Sequence, residues 1–532
     1  MMSPNAGHFR AEIDTRLAEG WALERLTQPS RLFGANGIRT GADGRIYVAQ
    51  VAGSQVSAID VDTGEIETIS PMGAGIIGPD DLAFDEDGNL YATEITEGRV
   101  SVLQPNGEYR VVYGDMPCAN PITMHQGHLY AGECRPDGRI VELNLDGSAP
   151  RVILDKVPMP NAFEVGPDGK LYFPVMAANE IWRVDPKGGS PEVVATELGV
   201  PDSVKFDSKG YIVSTQVASG QVLRIDPDTG EKTVLAQLAP GLDNCTFVGD
   251  RLFVSSITGQ INEILASGQV RSLVPEGFQW PMGVAIDDDG VLFVADGGFD
   301  YILQPGGKPQ LVGMLFSPGF PGFTRGVVAA GHGEWLVTTA NGDVARFWPD
   351  RQESEILASG FNRAMDVTLA PGGTIIFAEV GTGRVLSIDS GNVAELADGL
   401  DSPVGVAVGS DGTCYVSESV GGRIVRIAGG SVDTVLDGLQ QPEGIAVSGD
   451  TLYAIDVGTR ELISCDLGRG SRSTIASNLP VGAPPGLARV QLGAVGNLSG
   501  PMNSFTGIAI GPDGCVYVSG DAEGSVLALR PQ

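Results

Sequence analysis

Short runs of alternating apolar and polar residues recur along the whole chain, and glycine-containing turns separate them. A first strand such as "VGVAV" (404–408) leads through an Asp-Gly turn to a second strand such as "IYVAQ" (46–50). A third strand such as "RIVRI" (423–427) and a weaker fourth follow. Alternation with a period of two predicts half-buried strands, and the turns predict antiparallel hairpins. The recurring unit is therefore a four-stranded β-meander.

Twelve copies of this unit fill the chain at intervals of roughly 40 residues. Their innermost strands open at residues 36, 80, 120, 161, 202, 243, 282, 325, 365, 404, 443 and 506. Four-stranded sheets repeated radially leave only short, protected edges, and β-propellers of this kind have about 4 to 8 blades. Because twelve units exceed one ring, the sequence predicts an all-β protein with two six-bladed β-propellers.

The count of units also sets the expected domain boundaries. We predict an N-terminal extension over 1–20, a first propeller over 21–275 and a second propeller over 276–532. The last unit ends at "GSVLALRPQ" with only three strands, and the segment "WALERL" (21–26) is expected to cross over and complete it. Residues 477–505 form an insertion before the last unit, and loops of this length are either functional or linkers.

Charge and composition exclude several classes of partner. The formal net charge of −32 would repel nucleic-acid phosphates and anionic lipids, so we expect neither nucleic acid nor membrane as a partner. No apolar run reaches the length of a membrane span or of a signal-peptide core, which predicts a cytoplasmic protein. The six cysteines lack C-x-x-C spacing and are expected to be buried as small residues, without a disulfide framework or a zinc site.

The residue that opens each innermost strand differs in kind between the two halves of the chain. This position faces the central channel of a propeller. In the first half it is occupied by Asn36, Asp80, Asn120, Asn161, Asp202 and Asp243. In the second half it is occupied by Met282, Arg325, Met365, Val404, Glu443 and Thr506. Asn and Asp also favour turns, but that preference would act on both halves equally. We therefore predict a ring of six converging oxygen-bearing side chains in the first channel.

Such a ring has the chemistry of a site for a hard cation. Amide and carboxylate oxygens are preferred calcium ligands, and calcium takes about 6 to 8 of them in forgiving geometry. Asp80, Asp202 and Asp243 would repel one another without a cation. Ca²⁺ is therefore the expected cofactor, and another divalent cation is the alternative.

Two stretches of the first half carry a family resemblance: "MPNAFEVGPDGKLYF" (159–173) and "VPDSVKFDSKGYIVSTQVASGQVLRIDPDTG" (200–230). Over residues 36–275 the chain resembles the family of senescence-marker protein, gluconolactonase and luciferin-regenerating enzyme, whose members are paraoxonase-like six-bladed propellers. The resemblance implies one divalent metal on the channel axis. The ligand positions of that family, in the order Glu, Asn, Asn, Asp, match Asn36, Asn120, Asn161 and Asp202 here. Asn36 departs from the family pattern, and Asp80 or Asp243 is expected to supply the missing charge.

The same resemblance implies a metal-dependent hydrolase that acts on a lactone or a related ester as its small-molecule substrate. Asp202 is expected to serve as metal ligand and as base or nucleophile, with Asp80 and Asp243 as the alternatives. Two other functions stay open. One is a lyase or isomerase that uses the same metal, because an antibiotic-ring-opening lyase is a propeller relative. The other is a non-enzymatic binding scaffold.

Several further polar residues have expected positions. Gln50, Glu94, Glu133 and Arg135 lie at or just beyond the ends of second strands and are expected to border the first channel as substrate contacts. Arg325 and Glu443 lie three units apart, hence opposite one another in a ring of six, where an ion pair across the second channel is expected.

Overall fold

The structure, a computed structural model, describes His8 and residues 14–483, 486–496 and 498–532. Its regular elements are strands and two short 3₁₀ turns, Met176–Ala178 and Pro349–Arg351. Residues 1–7 and 9–13 of the predicted N-terminal extension lie outside the described residues. Across the described ranges, no helix has the length and hydropathy that a membrane crossing requires.

The strands form twelve antiparallel meanders, which we number as blades 1 to 12 in chain order. Each blade runs from an inner strand at the channel to an outer strand. Blade 1 comprises Ile38–Thr40, Ile46–Gln50, Gln55–Ile59 and Ile66–Ser70. Blade 2 comprises Pro79–Phe84, Leu90–Glu94, Arg99–Leu103 and Tyr109–Tyr113. Blade 3 comprises Ala119–His125, His128–Glu133, Gly138–Leu143 and Arg151–Val157. Blade 4 comprises Glu164–Val165, Leu171–Val175, Glu180–Val184 and Glu192–Ala195. Blade 5 comprises Pro201–Phe206, Ile212–Gln216, Gln221–Ile225 and Lys232–Gln237. Blade 6 comprises Leu242–Val248, Arg251–Ser256, Ile261–Ile264 and Val270–Val274.

The second half of the chain repeats this pattern. Blade 7 comprises Val284–Ile286, Leu292–Asp296, Phe299–Leu303 and Pro309–Met314. Blade 8 comprises Thr324–Gly331, Glu334–Thr339, Val344–Trp348 and Glu353–Ala358. Blade 9 comprises Ala364–Leu369, Ile375–Glu379, Arg384–Asp389 and Asn392–Ala397. Blade 10 comprises Pro403–Val408, Cys414–Glu418, Arg423–Ala428 and Ser431–Leu436. Blade 11 comprises Pro442–Ser448, Thr451–Asp456, Glu461–Asp466 and Arg472–Ser477. Blade 12 comprises Ile508–Ile510, Val516–Gly520 and Ser525–Pro531. Two strands from the start of the chain, Arg16–Leu17 and Trp21–Arg25, add to blades 11 and 12.

Each half closes into a ring of six blades. The inner strands of consecutive blades contact one another, and the inner strand of blade 6 contacts that of blade 1. The inner strands of blades 7 to 12 close in the same way, with blade 12 against blade 7. The prediction of an all-β chain with two six-bladed propellers is confirmed.

The two propellers are separate compact units. The first unit contains residues 30–279, together with His8 and residues 492–496. The second contains the described residues of 9–29, 280–491 and 498–532. The first propeller therefore begins near residue 30 and not at residue 21, because Trp21–Arg25 pairs with Ser525–Pro531 in the second.

Glycine just after the opening of an inner strand allows neighbouring blades to meet closely. The amide of Gly283 in blade 7 donates to the carbonyl of Arg325 in blade 8 at 2.8 Å, and a Cβ on Gly283 would lie 2.2 Å from that oxygen. Gly37 in blade 1 makes the same contact with the carbonyl of Asp80 in blade 2, at 2.7 Å. A side chain does not fit at such a point. The spacing of the inner strands is therefore set by contacts between main chains.

Blade 12 takes its outer strand from the start of the chain, as the sequence analysis expected of 21–26. Trp21 lies opposite Pro531, and Arg25 lies opposite Leu527. Leu23 is half-buried against the apolar cluster around Leu527. Blade 11 also gains a fifth strand, Arg16–Leu17, which was not predicted because two residues carry no readable alternation.

Deleting residues 1–27 should destabilise the second propeller more than the first, since Ser525–Pro531 would become an unpaired sheet edge. Hydrogen exchange should then show early loss of protection over residues 506–530. Deleting only residues 1–13, which leaves both added strands in place, should have a much smaller effect. Earlier loss of protection in blade 1 would contradict this prediction.

Candidate functional site

The predicted oxygen-bearing ring is present at one end of the first channel. Its six members, Asn36, Asp80, Asn120, Asn161, Asp202 and Asp243, stand at equivalent positions of blades 1 to 6, and all but the half-buried Asn36 are buried. Two contacts join neighbouring members: Asn161 Nδ2 donates to Asp202 Oδ2 at 2.9 Å, and Asn36 Nδ2 lies 3.5 Å from Asp243 Oδ2.

Hydroxyl groups of the preceding blades hold the main chain of the ring. Thr93 Oγ1 donates to the carbonyl of Asn120 at 2.6 Å, and Ser255 Oγ donates to the carbonyl of Asn36 at 2.9 Å. Thr215 makes the same bond to the carbonyl of Asp243. All three hydroxyls come from second strands, so each of these three blades helps to position the ring residue of the next.

The three carboxyl groups of the ring are dehydrated and repel one another. Burial raises the pKa of Asp80, Asp202 and Asp243 well above the usual range. Mutual repulsion adds to this, because Asp243 raises the pKa of Asp80 and Asp80 raises that of Asp202. The ring therefore favours either bound protons or a bound cation.

The donor set fits a hard cation. Asn120 Oδ1 and Asp202 Oδ1 are buried and accept no hydrogen bond from the described protein. Within the described ranges, no three His, Cys, Asp or Glu side chains are grouped to hold a metal ion by themselves. A cation at this ring would therefore need asparagine oxygens as well as carboxylates, which is the ligand chemistry of calcium.

Sulfur atoms lie beside the ring. Asn161 Nδ2 is 3.1 Å from Met176 Sδ, and Cys134 Sγ is 3.9 Å from the same sulfur. Burial, with added repulsion from Asp80, raises the pKa of the Cys134 thiol well above its usual range. All six cysteines are buried and free, as predicted.

A second charged layer, which the sequence analysis missed, fills the channel behind the ring. Arg39 of blade 1 reaches Glu164 of blade 4 at 2.9 Å, and Lys205 of blade 5 contacts the same carboxylate at 2.9 Å. Although burial opposes ionisation, Lys205 and Arg39 lower the pKa of Glu164 to about 2. Arg39 also lies 3.9 Å from the buried Asp81.

These charges nearly balance within the layer and leave the ring uncompensated. Arg39 and Lys205 are matched by Glu164 and Asp81, so the layer contributes little net charge to the ring. A regular spacing could have identified the layer: Arg39, Glu164 and Lys205 each lie three residues after a ring residue.

The predicted substrate contacts are engaged with their own blades. Gln50 accepts from the amide of Phe33 at 2.9 Å, and Glu94 accepts from Tyr109 Oη at 2.9 Å. Glu133 is fully buried and ion-paired with Arg135 at 2.8 Å. Arg135, whose side chain is 37% exposed, also lines a cavity of about 600 Å³ in the first unit. Of the four residues, Arg135 is the one open to a ligand.

The ring position of the second propeller is covered by its own insertion. Phe505 from the insertion packs against the ring residues Met282, Met365 and Val404. Arg325 donates to the carbonyls of Ala364 at 3.1 Å and of Pro501. The apolar residues at this position therefore form a small core and do not surround an ion.

The expected ion pair between Arg325 and Glu443 does not form. Arg489 of the insertion pairs with Glu443 at 3.0 Å and with Asp521 at 2.7 Å, and it donates to Thr506 Oγ1 at 2.8 Å. The expectation was wrong because position within the blades cannot show which charge a loop will bring to the channel.

In a comparison with known proteins, the model of the virginiamycin B lyase family matches residues 22–302. Virginiamycin B lyase from Staphylococcus aureus is 18% identical over 52% of this chain and 96% of its own, with a TM-score of 0.38. A protein of known structure that is described as a gluconolactonase from its family is 17% identical to this chain. The match covers 49% of this chain and 95% of that protein, with a TM-score of 0.38. A chain of a nidogen–laminin complex is 20% identical over 43% of this chain and 93% of its own, with a TM-score of 0.40. Likeness at this level says nothing about activity. No curated protein matches the chain.

The matched segment covers just over half of the chain and includes all six residues of the ring. It supports a family of enzymatic propellers for the first half, but not the senescence-marker-protein family that the sequence analysis singled out. The chain belongs to the virginiamycin B lyase family.

Proposed function

We propose that the first propeller is an enzyme that opens a lactone or related ester of a small molecule by elimination. The observation that carries this proposal is the ring itself, in which three dehydrated carboxyl groups and unpartnered amide and carboxylate oxygens converge. The ring lies within the segment that matches a lyase family. Buried ionisable groups with strongly perturbed pKa values mark functional sites more often than chance.

A divalent cation, with Ca²⁺ as the first choice, completes the proposed site. Asn120, Asn161, Asp202 and Asp243 would hold it, with Asn36 beside Asp243. When bound, the cation would polarise the carbonyl of the substrate and stabilise the negative charge that develops there.

Asp202 is the proposed base. Asn161 holds Asp202 Oδ2, while Oδ1 has no hydrogen-bond partner and is left to take a proton. In the elimination that proton leaves the carbon next to the carbonyl, its electron pair forms a carbon–carbon double bond, and the C–O bond at the next carbon breaks to release a carboxylate. Burial, with added repulsion from Asp80, increases the proton affinity of Asp202, which suits a base. Asp80 and Asp243 are the alternatives.

The charged layer supports this chemistry by filling the channel behind the ring. Arg39 of blade 1 and Lys205 of blade 5 both contact Oε2 of Glu164 at 2.9 Å, so substrate would reach the site from the ring end. Arg39 also donates to the carbonyls of Leu82 and Ile122 at 2.8 Å. These bonds tie the inner strands of blades 1 to 3 together beneath the ring.

Hydrolysis at the same ring is the second candidate function. The order Asn120, Asn161, Asp202 keeps three of the four ligand types of the resembled hydrolase family. In that reaction Asp202 would take a proton from water, and an oxygen from water would remain in the product.

The products of a lactone and ester panel, incubated with the full chain and Ca²⁺ in ¹⁸O-labelled water, should separate the two reactions. Elimination predicts a product with a new double bond and no solvent oxygen, visible by mass spectrometry and ultraviolet absorbance. Incorporated ¹⁸O would establish hydrolysis. Absence of turnover on the whole panel would favour a binding scaffold.

Asp202→Asn should lower turnover by about 100-fold or more, because the amide cannot accept the proton. The fold should persist, since the substitution removes like-charge repulsion from a buried ring. Asp228→Asn, at an exposed turn of the same blade, is the matched control and should keep its activity. Full turnover by Asp202→Asn would transfer the role of base to Asp80 or Asp243.

Ca²⁺ at about 100 times its Kd should stabilise the first propeller by about 2.7 kcal/mol. The raised pKa values mean that the cation must displace protons from Asp80, Asp202 and Asp243. Affinity should therefore fall as the pH falls, by up to about tenfold per pH unit for each proton released. Titration calorimetry at several pH values measures the affinity, and unfolding with and without Ca²⁺ measures the stabilisation.

Asn161→Ala combined with Asp202→Ala should abolish the stabilisation by Ca²⁺. Met282→Leu combined with Met365→Leu, at the equivalent positions of the second propeller, is the matched control and should preserve it. An undiminished shift in the first double variant would place the cation elsewhere.

A further inference from the structure

The channel of the second propeller contains a cavity of about 490 Å³. Small-molecule sites in proteins have volumes of about 300 to 1000 Å³. All six blades contribute to its wall, and the positions three residues after the ring hold small side chains: Ala285, Val328, Thr368, Ala407, Ala446 and Ala509. At the same positions of the first propeller, Arg39, Glu164 and Lys205 fill the channel. The second channel is open where the first is filled.

The cavity is closed at one end and open at the other. At the ring end, Phe505 and Arg489 of the insertion cover the channel. At the far end the lining includes Asp288 and His332, which are exposed. A ligand would enter past these residues and meet the small side chains three residues after the ring on the way to the closed end.

A carboxyl group lies at the closed end of the cavity. Asp366 directly follows the ring residue Met365 and lines the cavity. Its Oδ1 accepts from the amide of Val367 at 2.9 Å, and its Oδ2 accepts from the amide of Val406 at 3.2 Å. Burial raises the pKa of Asp366 to about 7. The surroundings orient this carboxylate but bring no opposite charge to it.

The first propeller shows what such a carboxylate accepts. Asp81 occupies the same position in blade 2 and makes the same two bonds, to the amides of Leu82 at 2.8 Å and Ile122 at 3.2 Å. Its counter-charge is Arg39 of the preceding blade, at 3.9 Å. The residue of the second propeller that matches Arg39 is Val328. Among the described residues that line the second cavity, none is Lys or Arg.

We propose that this cavity binds a small primary amine with an apolar chain, whose ammonium group takes the place beside Asp366 that the guanidinium of Arg39 takes beside Asp81. The apolar chain would lie along the side chains three residues after the ring, such as Val328, Ala407 and Ala446. Asp287 and Asp288 near the open end would attract a cation. This site lies in the other propeller and is independent of the proposed enzyme activity.

Titration calorimetry of the full chain with n-octylammonium, at about pH 8 where both ammonium and carboxyl groups are ionised, tests the proposal. Octylammonium should bind at about a tenfold or greater advantage over 1-octanol, because only the amine satisfies Asp366. Asp366→Asn should remove this advantage. Asp398→Asn, at an exposed position of blade 9's outer connection, is the matched control and should keep it.

Val328→Arg provides a second test that does not depend on the folding of the Asp366 variant. It supplies the guanidinium that the first propeller has and should abolish octylammonium binding while the fold persists. Asp202→Asn should bind octylammonium as the unaltered chain does, which excludes binding at the ring of the first propeller. Equal binding of amine and alcohol, or undiminished amine binding by Val328→Arg, would overturn the proposal.

Discussion

The spacing of the inner strands around each channel is the constraint on which the rest of the structure depends. At Gly37 and Gly283 the main chains of neighbouring blades approach too closely for any Cβ, and amide-to-carbonyl bonds lock that approach. Since both propellers obey the same spacing, equivalent residues of different blades arrive at equivalent depths in the channel. The chemistry of each channel is then decided by which side chains occupy those depths.

The two propellers use the same depths for different purposes. In the first, the ring position holds amides and carboxylates, and the position three residues later holds the ion pairs of Glu164 with Arg39 and Lys205. In the second, the ring position is covered by Phe505 and the later position is small, which leaves a cavity. One fold thus yields a ring of charged and amide side chains in one channel and, in the other, a cavity whose ring position is covered. The difference lies in side chains and in one insertion, while the strands are alike.

Sequence periodicity predicted what depends on local pattern. The twelve meanders, the ring of Asn and Asp residues and the strand at 21–26 could be predicted because each repeats a spacing or completes one. The partnership of Arg39 and Glu164 could not, because it joins residues 125 positions apart and depends on side-chain reach across a channel. Arg489 was also missed, since the insertion has no alternation from which to place it. The resemblance indicated an enzymatic propeller but pointed to a different family from the one that matches.

The pairing of Trp21–Arg25 with Ser525–Pro531 has a consequence for how the chain is made. The strand that completes blade 12 leaves the ribosome before any blade of the first propeller, and its partner leaves after the strands of all the other blades. With synthesis at about 5 to 20 residues per second, this strand waits roughly 25 to 100 s for its partner. Throughout that time the first propeller can finish folding, whereas the second cannot close. Glu24 and Arg25 place charges on the waiting strand, and charges on an exposed strand discourage pairing with other nascent chains.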